Sequence, residues 1–315
     1  MSDINVADNP FAELLDGLVR GDGNEFLHLL TEHSEPTQLP ASTTTVRTHF
    51  ISSDANGEPA TEHLAAAMAR AAIDFCIPRS RIEQAMKHLQ RTGSATHFSR
   101  LEQQARELFV DEDGTGEGGE LLLFLLMEQV LGLPQLLAKM PLKTNSNVHV
   151  HGSDGVHAKL GPNGILDLYW GESKLYQSSS SAFTSCFESI APFFDKGGET
   201  QRRDLLLVRD HINVQQHDLA AHLVEYFDES GPKSLQVRWN GVCLIGFDYA
   251  AYPNMSQLSE DESQRIEKSA ASWRTSVRDR IAKNALLAVK LDVFCIPFPD
   301  VDAMRKAVRR KLGMS

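Results

Sequence analysis

The order of elements along the chain predicts an α/β fold, a mixed sheet flanked by helices, with a helical N-terminal region. Residues 165–170, Ile-Leu-Asp-Leu-Tyr-Trp, are largely apolar on both strand faces, as in a strand buried inside a sheet. Turn residues at 161–164 and at Asn240-Gly241 punctuate apolar runs of strand length. These runs mix in chain order with longer segments of helical period, which is how a sheet covered by helices reads.

Asn9-Pro10 opens a short amphipathic helix, and residues 34–45, polar with two prolines, read as a linker or loop. A helix runs from about Glu62 to Asp74, Pro78 breaks it, and a second begins near Ser80 and continues in pieces to Val110. Residues 111–119 form an acidic connection. It lacks the bidentate glutamate of a calcium loop, because Leu122 stands at the twelfth position from Asp111. Gly119 to Met127 is a buried core helix, too short and too flanked by acids to cross a membrane. Residues 154–160 and 165–175 form a hairpin about Gly161-Pro162-Asn163-Gly164. Ser178 to Ser181 supply an N-cap for a helix over 182–194, and Leu205–Val208 reads as a short strand. A helix over 217–228 follows, then a hairpin or pair of core strands over 235–248. A charged helix from about Glu260 to Asn284, a strand over 286–297 and a basic helix close the chain.

With 315 residues, 42% hydrophobic and 23% charged, the chain can bury a substantial core. Cys76, Cys186, Cys243 and Cys295 show no CxxC spacing, so buried thiols in a reducing compartment are expected and no zinc site is assigned to them. The first residues have neither the basic start nor the apolar core of a signal peptide, so the protein is expected in the cytoplasm. A net charge of -11 argues against a protein that grips DNA strongly alone, since neutralising phosphates requires clustered Lys and Arg. The first forty residues hold eight acids against Arg20 alone. Residues 78–106 reverse this, with Arg79, Arg81, Lys87, Arg91, Arg100 and Arg106 against two glutamates; a solvated helix face and a DNA or partner contact both fit. On the last helix Arg305, Lys306, Arg309 and Arg310 make one basic stripe, a better candidate for phosphate contact, although cations also suit a helix C-terminus.

The chemistry concentrates in Gly171-Glu172-Ser173-Lys174-Leu175, with Asp154 eighteen positions before Glu172. Cutting a phosphodiester requires a divalent metal on the scissile phosphate and a hydroxide made near neutral pH. Mg²⁺ takes one or two protein carboxylates and leaves its other positions to water and phosphate, a role that suits Asp154, Glu172 and the backbone carbonyl of Ser173. Lys174 would lower the pKa of the attacking water and counter charge at the phosphorus. Strand alternation puts Glu172 and Lys174 on one side. Asp154 opposes Glu172 only if the hairpin loop has an odd length, such as Pro162-Asn163-Gly164, or if a bulge shifts the register. Glu120, in the first turn of its helix, is either a residue favoured by the helix dipole or a further metal-site carboxylate.

Taken in order, Glu120 heading an apolar helix, Gly-Ser-Asp154-Gly-Val-His, Gly-Glu172-Ser-Lys174-Leu-Tyr and a Ser-rich helix start resemble the PD-(D/E)xK nuclease superfamily. More narrowly they are similar to HamA, the nuclease family of Hachiman anti-phage systems, as is the closing Ile296-Pro-Phe-Pro-Asp300-Val-Asp-Ala-Met-Arg305. The resemblance covers about residues 45–315, and Ser153 stands where the superfamily often has proline. It implies a restriction-endonuclease-like sheet over 111–315 preceded by an acidic and helical region over 1–110. It further implies a DNA nuclease using Mg²⁺ or Mn²⁺, with Asp154, Glu172, Lys174 and Glu120 in the site, and a HamB-like helicase subunit as partner, with no membrane involved.

Two rivals remain open on sequence. His149-Val-His151 and His157 resemble a zinc hydrolase cluster, but the HxHxDH order would need an acid at Ser153 and a histidine at Asp154. A non-catalytic DNA- or helicase-binding subunit with a degenerate site is the other, and the intact Asp154, Glu172 and Lys174 speak against it.

Overall fold

The structure, a computed structural model, describes residues 10–109, 116–140, 154–161, 164–195 and 198–314. A mixed eight-stranded sheet organises them. One edge is built from β1 (Leu30–Glu32) and β2 (Thr37–Gln38), both antiparallel to β3 (Thr45–Ile51). Next to β3, and parallel to it, lies β8 (Lys290–Phe298), followed by β7 (Val237–Asp248) and β6 (Leu166–Tyr176), all running the same way. Beyond β6 the sheet turns antiparallel through β5 (Gly155–Leu160) and β4 (Gln135–Leu137).

The parallel centre explains the layering. Strands covered on both faces must be apolar on both, and β7 sends Val242 and Leu244 to one core and Cys243 and Ile245 to the other. The segments that connect β6 to β7 to β8 cross one face, as successive crossovers of one hand must. They are α6 (Ser179–Ile190), α7 (Glu199–Asp210), α8 (His217–Phe227) and α9 (Glu260–Lys283), joined there by α1 (Pro10–Asp16). The other face is covered by α2 (Thr61–Cys76), α3 (Arg79–Thr92), α4 (Thr96–Glu107), α5 (Glu117–Gln129) and α10 (Val301–Leu312). α9 begins with Ser259 and Glu262 in a reciprocal capping box, and α10 with Asp300 accepting from the Ala303 N–H at 2.7 Å. No helix among the described residues is long and apolar enough to cross a membrane.

The expected α/β architecture is present, and three local readings are corrected. Residues 205–208 are helical within α7, not a strand: Asp204 and Val208, four apart, are buried while Leu206 is 50% exposed, the phase of a helix. Residues 237–248 are one strand, not a hairpin, so Asn240-Gly241 is strand interior. Asn240 Nδ2 donates to Asp167 Oδ1 at 3.0 Å, and a Cβ at Gly241 would stand 2.7 Å from Leu291 Cδ2 and 3.0 Å from Ile190 Cδ1. Packing, not turn formation, explains both residues. The segment read as a linker over 34–45 contains β2 and leads into β3, whose Val46 is buried against β8.

Because Leu291 and Ile190 are fully buried, Gly241→Ala should overpack the core and cost about 1–3 kcal/mol. Urea denaturation of the variant against the parent checks it; an unchanged midpoint would show that the core yields freely at this point.

Candidate active site

The hairpin carrying the motif has an odd loop. Pairing ends at Leu160↔Leu166, and the Gly161 N–H donates to the Ile165 carbonyl at 2.7 Å, so the turn closes over 162–164. Gly164 sits at φ 72°, in the left-handed region that such a turn uses. Pro162 and Asn163 lie outside the described residues. The ladder ends at Gly155↔Gly171, and the next residue, Asp154, bonds the Gly171 carbonyl through its N–H, so it lies beside Glu172 and Ser173 at the strand end rather than in a pair with Glu172.

Among the described residues, β5 covers this flank of β6 only as far as Gly171, while β6 runs on to Tyr176. Asp154 takes over that flank. Its N–H donates to the Gly171 carbonyl at 2.8 Å, and its Oδ2 accepts from both the N–H and the Oγ of Ser173, each at 2.7 Å. N–H and C=O of one strand residue point the same way, so the Ser173 carbonyl also faces this flank, beside Asp154. Glu172 and Lys174 project together to the α6 side, with Lys174 Nζ 2.5 Å from Glu172 Oε1. Ser189 of α6 also hydrogen-bonds the Glu172 side chain, and Cys186 Sγ lies 3.7 Å from its backbone oxygen.

Electrostatics sharpen the site. Burial pushes the Glu172 carboxyl up to about 7, the charge of Asp154 adds to the push, and Lys174 works against it. Burial also raises the Asp154 carboxyl, opposed by the two Ser173 hydrogen bonds and by Lys174 and Lys139. For Lys174, burial disfavours the charge, but Glu172 and Asp154 outweigh it and hold the ammonium above its ordinary value. Two desolvated carboxylates against one close ammonium leave room for more positive charge. Hard oxygen donors under that tension are the donor set a Mg²⁺- or Mn²⁺-type cation takes.

The other candidates lie as follows. A Cβ on Gly119 would stand 3.1 Å from Ser173 Oγ and 3.0 Å from Leu175 Cδ1, so the first turn of α5 presses on the motif strand. Glu120 stands half-buried in that turn, its Oε1 3.8 Å from where a Cβ would sit on Gly116, reaching back over the helix N-terminus. Arg305 is drawn into the fold: Nη1 pairs with Asp302 at 2.9 Å and Nη2 donates to the carbonyl of Leu175, next to Lys174. Arg310 and Lys311 bind Glu62 of α2. Lys306 and Arg309 line, with Arg305, Glu117 and Phe109, a cavity of about 380 Å³. The expected stripe is thus divided between structural ties and a cavity.

His149 and His151 lie outside the described residues. His157 is buried on the α5 side, its Nδ1 2.7 Å from the Leu133 carbonyl, and burial lowers its pKa to about 4, which keeps it neutral. Among the described residues no group of three His, Cys, Asp or Glu side chains gathers as a metal cluster.

Two neighbours were not read from sequence. Lys139 lies 3.4 Å from Asp204 Oδ2, its charge reaches Asp154, and the same oxygen of Asp204 accepts from Trp170 Nε1 at 3.2 Å. No spacing announces either. Correctly reading 199–210 as a helix would have turned Asp204 inward with Val208.

Since the folded pKa of Glu172 lies above its ordinary value, its contribution to metal-free stability is complete below about pH 4.5 and is lost as pH rises through about 7. Glu172→Gln should therefore gain on the parent as pH rises from 5 to 8, by roughly 1–3 kcal/mol. Thermal melts in EDTA across that range check it, and a constant difference would contradict the burial of a titrating carboxyl.

Among curated proteins none matches the chain. A model of the HamA family, however, matches residues 24–312, which takes in the whole sheet, the hairpin and α10 up to its last residue, and the chain therefore belongs to the HamA family, associated with Hachiman defence.

Proposed function

We propose that this chain is a metal-dependent DNA nuclease of a Hachiman defence system, acting with a helicase partner. The observation that supports it most is the convergence of Asp154, Glu172 and Lys174 at the end of the β5–β6 ladder, where the Ser173 carbonyl faces the flank that Asp154 meets. Mg²⁺ or Mn²⁺ held by Asp154, Glu172 and that carbonyl would supply a charge clamp on the scissile phosphate and an acidified water.

The residues divide the work. Ser173 fixes Asp154 through two hydrogen bonds, so this carboxylate needs little rearrangement to act as a ligand. Glu172 is pre-desolvated and binds a cation in its ionised form. Lys174, which lies against Glu172, would lower the pKa of the attacking water and offset charge as the new P–O bond forms and the leaving oxygen departs. Glu120, in the turn of α5 against Ser173, is proposed as an outer carboxylate of the same site.

A helicase partner answers a charge problem. With a net charge of -11 the chain grips DNA weakly. A subunit that unwinds DNA would deliver the strand and leave this one to cut.

Cleavage of plasmid or single-stranded DNA by the purified complex with Mg²⁺ should fall by at least about 10²-fold in Glu172→Ala or Lys174→Ala and vanish in EDTA. Equal cleavage by these variants would sink the assignment. Affinity purification of the native chain should bring down a helicase, and its recovery alone would count against the partner.

A further inference from the structure

We propose that the tip of the α3–α4 hairpin is a contact surface for the phosphate backbone of nucleic acid. The inference takes DNA as substrate from the proposed function, but concerns a surface separate from the carboxylate site. α3 and α4 pack back on the core through Ala85, Leu101 and Ala105, and reverse direction at Gly93, which is left-handed. From Gln84 to Leu101 there is no acid, in a chain whose net charge is -11. Lys87, Arg91 and Arg100 are exposed there. Lys87 pairs with Glu83 at 2.9 Å, but among the described residues no carboxylate pairs with Arg91 or Arg100.

Between the two helices His88 and His97 stack face to face, ring centroids 3.6 Å apart and planes 9° off parallel. His88 is held below its ordinary pKa by desolvation and by the positive field of His97, Arg91 and Arg100. The tip is therefore a focus of positive potential that the fold does not neutralise. Its other exposed groups are mostly polar, Gln90, Thr92, Thr96 and Ser99 among them, with Met86, 44% exposed, a single large apolar side chain beside Lys87. Arginine with serine and threonine is the usual chemistry of phosphate contact, whereas a protein interface would centre on apolar or aromatic anchors. From the tip, α4 descends to Phe109, which lines the cavity of Lys306 and Arg309 beside the first turn of α5.

The test uses the full chain carrying Glu172→Ala, in EDTA so that no cutting occurs, and a fluorescent DNA duplex read by anisotropy over a range of salt. Adding Arg91→Gln and Arg100→Gln should weaken binding about 10-fold at low salt and reduce the slope of log K against log salt by about 2, as losing two phosphate contacts predicts. Arg202→Gln, a paired arginine on α7, serves as the control and should change neither. NMR titration of the His88 ring should show its pKa rising when duplex is present, and polyglutamate should not reproduce that rise. The proposal is overturned by an unchanged slope in the double variant, by an unmoved His88, by equal competition from polyglutamate, or by no binding of the duplex at low salt. In each case the cleavage test of Glu172 and Lys174 stands on its own.

Discussion

The register of the β5–β6 hairpin is the constraint on which the candidate site depends. A slip of one residue would turn every side chain of β5 to the opposite face and move Asp154 away from Glu172. Two features oppose a slip. β6 is locked on its far side by an unbroken parallel ladder to β7, from Leu166↔Val237 to Tyr176↔Phe247. On its near side Val156, Ala158 and Leu160 of β5 are buried in the same core as Trp170 and Leu168, and would be expelled from it. Once the register is held, the end of the ladder at Gly155↔Gly171 follows, and Asp154 is the described residue that meets the flank of β6 beyond it.

That flank is where burial and charge conflict. Taking a carboxylate out of water is costly unless its charge is answered, and here Glu172, Asp154 and Asp204 stand within reach of Lys174 and Lys139. The ammonium groups only partly satisfy the acids, which is why Glu172 is driven to about 7 while Lys174 is held protonated. A fold selected for stability alone would replace this group with apolar residues matching Trp170 and Phe183 around it. Unresolved tension between like charges in a rigid sheet is the condition under which a bound cation releases the most free energy.

Much of this was legible in the sequence, and the reasons are specific. The hairpin turn, the alternation that sets Glu172 beside Lys174, the odd-length loop and the helix start at Ser178 all rest on local rules that tertiary packing did not override. What could not be read depends on distant contacts. Asn240-Gly241 carries a turn signal, yet its asparagine serves Asp167 and its glycine makes room for Leu291. Leu205 to Val208 has strand composition, but the helix phase shows only when one knows which side faces the core. Strands β1 and β2 are only three and two residues long, and β3, which they pair with, finds its other partner β8 more than two hundred residues on, so no window of sequence contains that pairing. Asp154 was expected to face Glu172 across the strands, and its carboxylate instead holds Ser173, a choice made by hydrogen-bonding geometry at a strand end.

Cations show the same distinction in another form. Counting Lys and Arg along the sequence marked two basic regions, but the fold consumes many of them internally. Arg79 is buried 3.5 Å from Glu128, with its pKa lowered to about 10 by desolvation. Arg305 ties α10 to the Leu175 carbonyl, and Arg310 ties it to α2. These contacts hold the two layers of the α5 face to the strand that carries Lys174, so they serve the site by position rather than by touching a phosphate. Arg81, Lys87, Arg91, Arg100, Arg106, Lys306 and Arg310 stay exposed, so these ties draw on only part of the basic content of the two regions. Since each phosphate contact is worth a definite increment of salt-dependent affinity, arginines tied into the architecture in this way are not available to add one, and a count of basic residues along the sequence overstates what the surface offers.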